Sequence, residues 1–457
     1  MIDSDTIQQA LDSIVNSPAA QEVLKRSANA DAASNSGQII AILGLLVFAA
    51  HLFTEIFSKF RIPDVLLLMG IGLFIGPLFG WVNPTDLGSV ASVFTTITLV
   101  IILFESGTQL NFNTLLNSIR GTTKLTLINF FVTMAIVALM GLIIKADLLT
   151  SLMLGAILGG TSSAVVIPMV KQLKISEKGG TILILESAFS DVLCIVFAWA
   201  FMQAIQSGSM NVGRVLGEII SSFILATVIG VIAAILWSYV LEKVRHVKNS
   251  ILTTPAFVFI VYGFNEWLGF SGAIAALAFG VGMANIEAIY RQGTIVRKLF
   301  KSEPTQLNET EKQLFSEVVF LLKTFFFIYI GISIKIDQVE PLLMGLAITV
   351  ALFAVRILIV KLSVNKEKES LPVEDKMFMS GIVPKGLAAA VLATIPLQVG
   401  IPGGEKIQNI VFAVILFSIT FTSILVPVLE KNNAFSRFYR RRFEPKQDPS
   451  IGELLDQ

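Results

Sequence analysis

The sequence predicts an all-α polytopic membrane protein of about thirteen transmembrane helices, arranged as two inverted six-helix repeats whose interrupted helices cross. Three observations predict it. Hydrophobic residues fill 54% of the 457 positions and charged residues only 15%, with a mean hydropathy of +0.77, a balance suited to a lipid environment. Acids nevertheless recur inside apolar runs, above all Glu186 and Asp191 in LESAFSDVL. Finally, two apolar runs are broken midway by Gly, Pro and hydroxyl residues, in GGTSSAVVIP and in SGIVPKGLAA.

Residues 1–36 begin MIDSD and carry neither a basic n-region nor an apolar h-region, so a polar extracytoplasmic leader is expected there rather than a signal peptide. Apolar segments of spanning length then follow at 37–57, 62–82, 88–110, 123–143, 148–170, 180–205 and 215–241. The second set lies at 252–269, 271–289, 316–336, 340–363, 376–398 and 407–430. Only the junction Asn265–Gly272 gives hydropathy no clean cut. The transmembrane domain is therefore expected over 37–430, with one repeat at 37–205, a linker helix at 215–241 and a second repeat at 252–430. A basic cytoplasmic tail, 431–457, follows, and its arginines are expected to anchor on anionic headgroups.

Orientation comes from the loops. One alternate set, with the tail, holds 25 of the 34 lysines and arginines, against 6 in the other set and the leader. Cytoplasmic loops carry the positive excess, which puts the N-terminus outside and the C-terminus in the cytoplasm of a cell with this chain in its plasma membrane. An odd number of spans agrees. The same dispersal of basic residues, at a net charge of +1, offers no face for nucleic acid. With one cysteine, Cys194, inside an apolar run and two histidines in all, neither a disulfide framework nor a His/Cys metal site is available, and no cofactor is implied.

The buried polar residues point to transport. An ionised side chain at the bilayer centre costs at least about 2.5 kcal/mol, so one that persists there faces protein or water and works. Asp191 falls near the middle of the sixth span, Lys385 near the middle of the twelfth, and Thr161, Ser162 and Ser163 just past the middle of the fifth, so the five are expected to share one plane. Glu105, Glu186, Lys323 and Arg356 fall toward the cytoplasmic ends of their spans and are expected to make a second, charge-balanced layer, with Glu186 paired to Arg356. His51 and Glu266 sit near span ends and are expected at the interface. The interruptions of the fifth and twelfth spans lie an odd number of spans apart, which gives the two repeats opposite orientation. Broken helices that cross leave N-termini facing each other at midplane, a positive field that Asp191 can balance while Lys385 meets the carbonyl ends.

ESAFSD resembles the E-S-x-x-N-D signature of the monovalent cation:proton antiporter superfamily, sodium/proton exchanger branch. Four further stretches agree in order: GTSSAVV, NEWLGFSGAIAALAFGVGM, FFFIYIGISI and VPKGLAAAVLA, so the resemblance covers Gly37 to about Glu430. It implies that Asp191 binds cation and proton alternately, that Ser187, Thr161 and Ser162 or Ser163 supply neutral oxygens, and that Glu186 is a structural acid. It also implies a homodimer with a moving core domain and a dimerisation domain. Ser190, also expected in the ion-binding set, stands where the branch usually has Asn, Ser162 replaces an Asp, and Lys385 replaces an Arg. These departures leave both Na+ and K+ open as the cation. The expected function is exchange of a monovalent cation, Na+ first and K+ as the alternative, for H+, with one acid and one ion each way. Hard oxygen donors suit either ion.

Other classes fit less well. A channel wants a continuous pore, commonly ringed by identical groups, and a sodium-coupled symporter of organic anions wants several bases around a wide cavity, where Lys385 is the only central one. An enzyme would want a His-centred or Cys-centred constellation, which the composition withholds.

Overall fold

The computed structural model describes residues 63–84, 88–110, 112–208, 212–247, 250–292, 304–364 and 371–443, with isolated positions between 44 and 52 and at 297. The chain divides into two compact units, Met1–Glu55 and Ile56–Gln457. In the first, the described positions 44, 45, 47–49, 51 and 52 are helical, and His51 Nδ1 bonds Val47 O at 2.9 Å, within its own helix. The expected leader, most of the expected first span and the end of the basic tail, 444–457, lie outside the described residues.

Every regular element among the described residues of the second unit is helical. In chain order they are α1 (Asp64–Leu73, continued by a π-turn Phe74–Leu78), α2 (Gly88–Thr108), α3 (Phe112–Ile143), α4 (Leu148–Ile157), α5 (Ser163–Gln172) and α6 (Glu177–Ser207). Then come α7 (Val212–Arg245), α8 (Thr253–Trp267), α9 (Gly272–Ala284), α10 (Ile286–Gln292) and α11 (Glu309–Ser333). The last are α12 (Val339–Val364), α13 (Val373–Gly381), α14 (Leu387–Gln398), α15 (Gly404–Lys431) and α16 (Asn433–Phe443).

Local chemistry sets the ends. Asp147 accepts from Leu149 N at 3.0 Å to cap α4, and Ser176 accepts from Gly179 N at 3.1 Å to cap α6. Asn308 and Glu311 form a reciprocal capping box at α11. Gly208 closes α6 with φ +60°, a left-handed turn that glycine adopts at no steric cost. The uncertain junction at Asn265–Gly272 is a true break: Gly269 turns with φ +80°, and Glu266 Oε1 accepts from Gly272 N at 2.8 Å to start α9.

Six of the described helices are individually long and apolar enough to cross a membrane, and up to seven if the bent pair α9 and α10 counts as one span. The expected thirteen is not confirmed on that measure: most of the first expected span lies outside the described residues, and among the described ones several expected spans are short or divided. The span expected over 271–289 bends by 74° between α9 and α10. Asn285 stands at that bend, with Nδ2 donating to Leu110 O at 2.7 Å and Val281 O at 2.8 Å. Extending well upstream of the expected 123, α3 is apolar over Thr122–Ile143.

The helices sort into two packed groups. One joins α1 to α11, α11 to α2, and α2 to α9, which also packs on α7 and α8. The other joins α3, α4 and α6, and links α12 to α3, α13 and α15, with α14 on α15. The groups meet chiefly where α6 lies on α7 and α14 on α2. Membrane helices gain from close backbone approach rather than from a hydrophobic drive, and small residues permit it. At the α1–α11 crossing, a Cβ on Gly331 would stand 2.8 Å from Gly72 Cα, a distance carbon atoms do not tolerate. Gly331→Val should therefore pry α1 from α11 and lower stability by about 1–3 kcal/mol, read as a fall in the thermal midpoint of the detergent-solubilised protein.

Candidate ion-binding site

The chain between α4 and α5 and the chain between α13 and α14 are not helical, and they cross. Glycines at 159 and 160 loosen the first, and Pro384 removes a donor from the second. In lipid each backbone group so freed needs a protein partner. Ser162 N donates to Pro384 O at 2.8 Å, which ties one interruption directly to the other. Thr161 N donates to Ser190 Oγ at 3.1 Å, and Ser187 Oγ donates to Thr161 O at 3.0 Å, so α6 clamps the first interruption from the side. Lys385 N donates to Ser418 Oγ at 2.9 Å, so α15 holds the second. Gly386 is required at the crossing: a Cβ there would lie 3.0 Å from Ser162 Cα and closer still to its side chain.

Two charges meet at this crossing. The buried Lys385 donates through Nζ to Gly160 O at 2.8 Å, placing an ammonium on the carbonyl end that α4 leaves open. Asp191 lies against the same residue, since a Cβ on Gly160 would be 3.4 Å from Asp191 Oδ1. Among the described residues Asp191 makes neither an ion pair nor a protein hydrogen bond. Two buried hydroxyls nearby, Thr161 Oγ1 and Ser162 Oγ, are also without hydrogen-bond partners. A buried hydroxyl left unpaired costs about 1–3 kcal/mol, and this one crossing has two. A carboxylate beside unsatisfied oxygens is the donor set that a hard monovalent cation requires.

Access is provided. A cavity of about 240 Å³ is lined by Asp191, Ser162 and Ser163 on one wall and by Glu105, Gln109 and Lys323 on the other. Its walls come from both helix groups, with α2 and α11 facing α5, α6 and α14.

The six residues expected to bind the ion thus divide. Asp191, Ser162 and Ser163 face the cavity, Thr161 lies buried behind it, and Ser187 and Ser190 are engaged in holding the interruption. Of the expected second layer, Glu186 and Arg356 meet in a fully buried bidentate pair, at 2.5 and 2.7 Å, with Arg356 Nε donating to Met379 O at 3.0 Å. That pair joins α6 to α12 and to α13. Lys323 lines the cavity beside Glu105, but its ion pair is to a residue outside the expected layer. Its ammonium pairs with Asp64 at the start of α1, at 3.0 Å, while the Glu105 carboxylate bonds the Gln109 amide one turn along α2. The reason is geometric: depth along a span says nothing of which helix faces which. Asp64 was missed, although a further acid inside an expected span, directly after Pro63, was its signal. Ser418, a hydroxyl in an apolar run, was likewise missed.

The family model for the transmembrane sodium/hydrogen exchanger matches residues 43–431. The chain belongs to the sodium/hydrogen exchanger family. Similar proteins include the K(+)/H(+) antiporter NhaP2 of Shewanella sp. strain ANA-3, 24% identical over 395 residues, which are 85% of this chain and 65% of that protein. The Na(+)/H(+) antiporter 1 of Methanocaldococcus jannaschii is 26% identical over 369 residues, 78% of this chain and 82% of that protein. The chain thus spans 65% of the length of its Shewanella relatives. The solved structure of the sodium proton antiporter MjNhaP1 from Methanocaldococcus jannaschii at pH 8 superposes with a TM-score of 0.67 at 21% identity, covering 84% of this chain and 98% of that one. At that identity the superposition shows a shared fold: the chain is a polytopic membrane protein with the antiporter architecture.

Family membership leaves the buried ion pair as this chain's own test. Neutralising one partner strands the other charge in a fully buried site, at about 3–5 kcal/mol. Glu186→Gln and Arg356→Gln should each lower yield and thermal midpoint, and the double variant should recover part of the loss. Two single variants as stable as the parent would refute a structural role.

Proposed function

We propose that this chain exchanges a monovalent cation for H+ across the plasma membrane, with the N-terminus outside and the C-terminus cytoplasmic, by competition of the two ions for Asp191. One observation carries the reading: at the crossing of two interrupted helices, the unpaired Asp191 carboxylate and the unpaired Ser162 hydroxyl line a cavity, with the unpaired Thr161 hydroxyl buried behind them. With the proton on, Asp191 is neutral; with the proton off, its carboxylate, helped by the Ser162 and Thr161 hydroxyls, holds the cation. Ser163, Ser187 and Ser190 shape and brace that cradle, and Lys385 keeps the carbonyl end of α4 neutralised. Only a loaded site crosses, so each ion moves against the other. The cavity lies beside the end of α2 and the start of α11, the side that the positive-inside rule assigns to the cytoplasm.

Na+ is the first reading. K+ is the second, favoured by the relatives named K(+)/H(+) antiporter and by the serines at 162 and 190, where the family pattern has Asp and Asn. The interruptions that pair α4–α5 with α13–α14 support two inverted repeats, 37–205 and 252–430, about a linker at 215–241. The motif resemblance supports a homodimer.

Asp191→Asn keeps the shape and removes the titratable charge. In proteoliposomes with a pH dye and separate Na, K, Li and Rb salts, correctly inserted Asp191→Asn should show no cation-driven proton flux; exchange at the parental rate would sink the assignment. Stoichiometry follows from Ser190, since a site with one acid carries one positive charge each way. Exchange should then be indifferent to an imposed membrane potential, set with an ionophore whose ion is not a substrate. Should the rate shift with potential, Lys385→Arg, which does not readily deprotonate, tells whether Lys385 is the second titrating group.

A further inference from the structure

α16 begins after a single residue, Asn432, beyond α15, a membrane-spanning helix that ends at Lys431. Covalent geometry therefore holds α16 at the membrane surface. Its two faces differ. Ser436, Tyr439 and Phe443, at spacings of three and four, are buried where α16 packs on α13 and α15. The opposite face exposes Arg437, Arg441 and Arg442 around Phe438, which is 51% exposed, with the Arg442 guanidinium 5.2 Å from the Phe438 ring centroid. An exposed aromatic ring set among arginines at a membrane surface matches an anionic headgroup layer: the ring enters the acyl boundary and the guanidiniums meet phosphate. The covalent tie to a spanning helix favours the headgroup layer over a soluble acidic partner.

Contacts run from this helix to the site. Arg440 Nη1 reaches Glu374 Oε1 on α13 at 3.3 Å. The next residue, the buried Asp375, accepts from Ser176 N at 3.1 Å and from the Ser176 hydroxyl, and Ser176 is the N-cap of α6, the helix of Asp191. α13 itself leads into the interruption that carries Lys385.

We propose that α16 is an anionic-lipid sensor, whose arginine face binds acidic headgroups and so restrains α13 and the crossing attached to it. The consequence for transport rests on the exchange reading above; the binding does not. Acidic lipid holds the helix in the headgroup plane, and the interrupted segment moves less freely during the cycle.

Two measurements on the full chain separate these points. In detergent, phosphatidylglycerol should raise the thermal midpoint of the parent while phosphatidylcholine and inorganic phosphate do not, and Arg437→Gln/Arg441→Gln/Arg442→Gln should lose the shift. In vesicles, exchange should run roughly threefold slower with phosphatidylglycerol than with phosphatidylcholine alone, and the triple variant should run at the neutral-lipid rate in both. A triple variant that keeps the thermal shift, a parent that never shows it, or a shift reproduced by inorganic phosphate overturns the sensor. A thermal shift with no lipid effect on rate overturns the restraint. If no vesicle exchanges at all, the exchange reading has failed, and the thermal shift alone still decides the binding.

Discussion

A broken helix inside lipid has to find protein partners for every backbone group that it frees, and the rest of this structure is arranged around that requirement. Two interruptions meet it together. Ser162 N and Pro384 O satisfy each other, Thr161 is gripped on both its backbone groups by serines of α6, and Ser418 of α15 takes Lys385 N. Because the partners come from α6 and α15, those helices cannot move independently of the crossing. The close contact at Gly386 adds a steric lock to the polar one.

Charge follows the same logic, with one exception. Glu186 and Arg356 neutralise each other in full burial, Lys323 and Asp64 do so in the other helix group, and Lys385 rests on a carbonyl. Buried charges are ordinarily paired because desolvation is so costly. Asp191 alone among the charges at the crossing has no such partner, and the orphaned hydroxyls of Thr161 and Ser162 lie beside it. At this crossing a carboxylate and two hydroxyls are left without partners, next to a cavity, a demand that a small cation or a proton suits. Ser187 and Ser190 illustrate how the same residue type divides its labour, since their hydroxyls brace backbone and so hold in place the neighbours that have no partner.

The cavity lies where the two helix groups face each other, with Asp191 on one wall and Glu105 and Lys323 on the other. Contact between the groups is concentrated at a few helix pairs, whereas within each group glycine-mediated approaches such as Gly72 against Gly331 leave little room for slippage. A site at such a seam suits the proposed exchange, since displacement of one group against the other would expose or seal it without breaking the crossing itself.

The sequence by itself determined the class of molecule, the place of both interruptions and the position of Asp191 along its helix. Hydropathy and motif order report position along a helix, and that is the coordinate these features depend on. Legibility stopped at azimuth. That Lys323 faces Asp64 on α1, that the expected span at 271–289 bends at Asn285, that Ser418 supports Lys385, and that Thr161 and Ser162 keep unpaired hydroxyls were all decided by which helices pack side by side. Rotation about a helix axis is set by neighbours distant in sequence, and in an apolar chain whose helices are hydrophobic on nearly every side no periodic pattern records it.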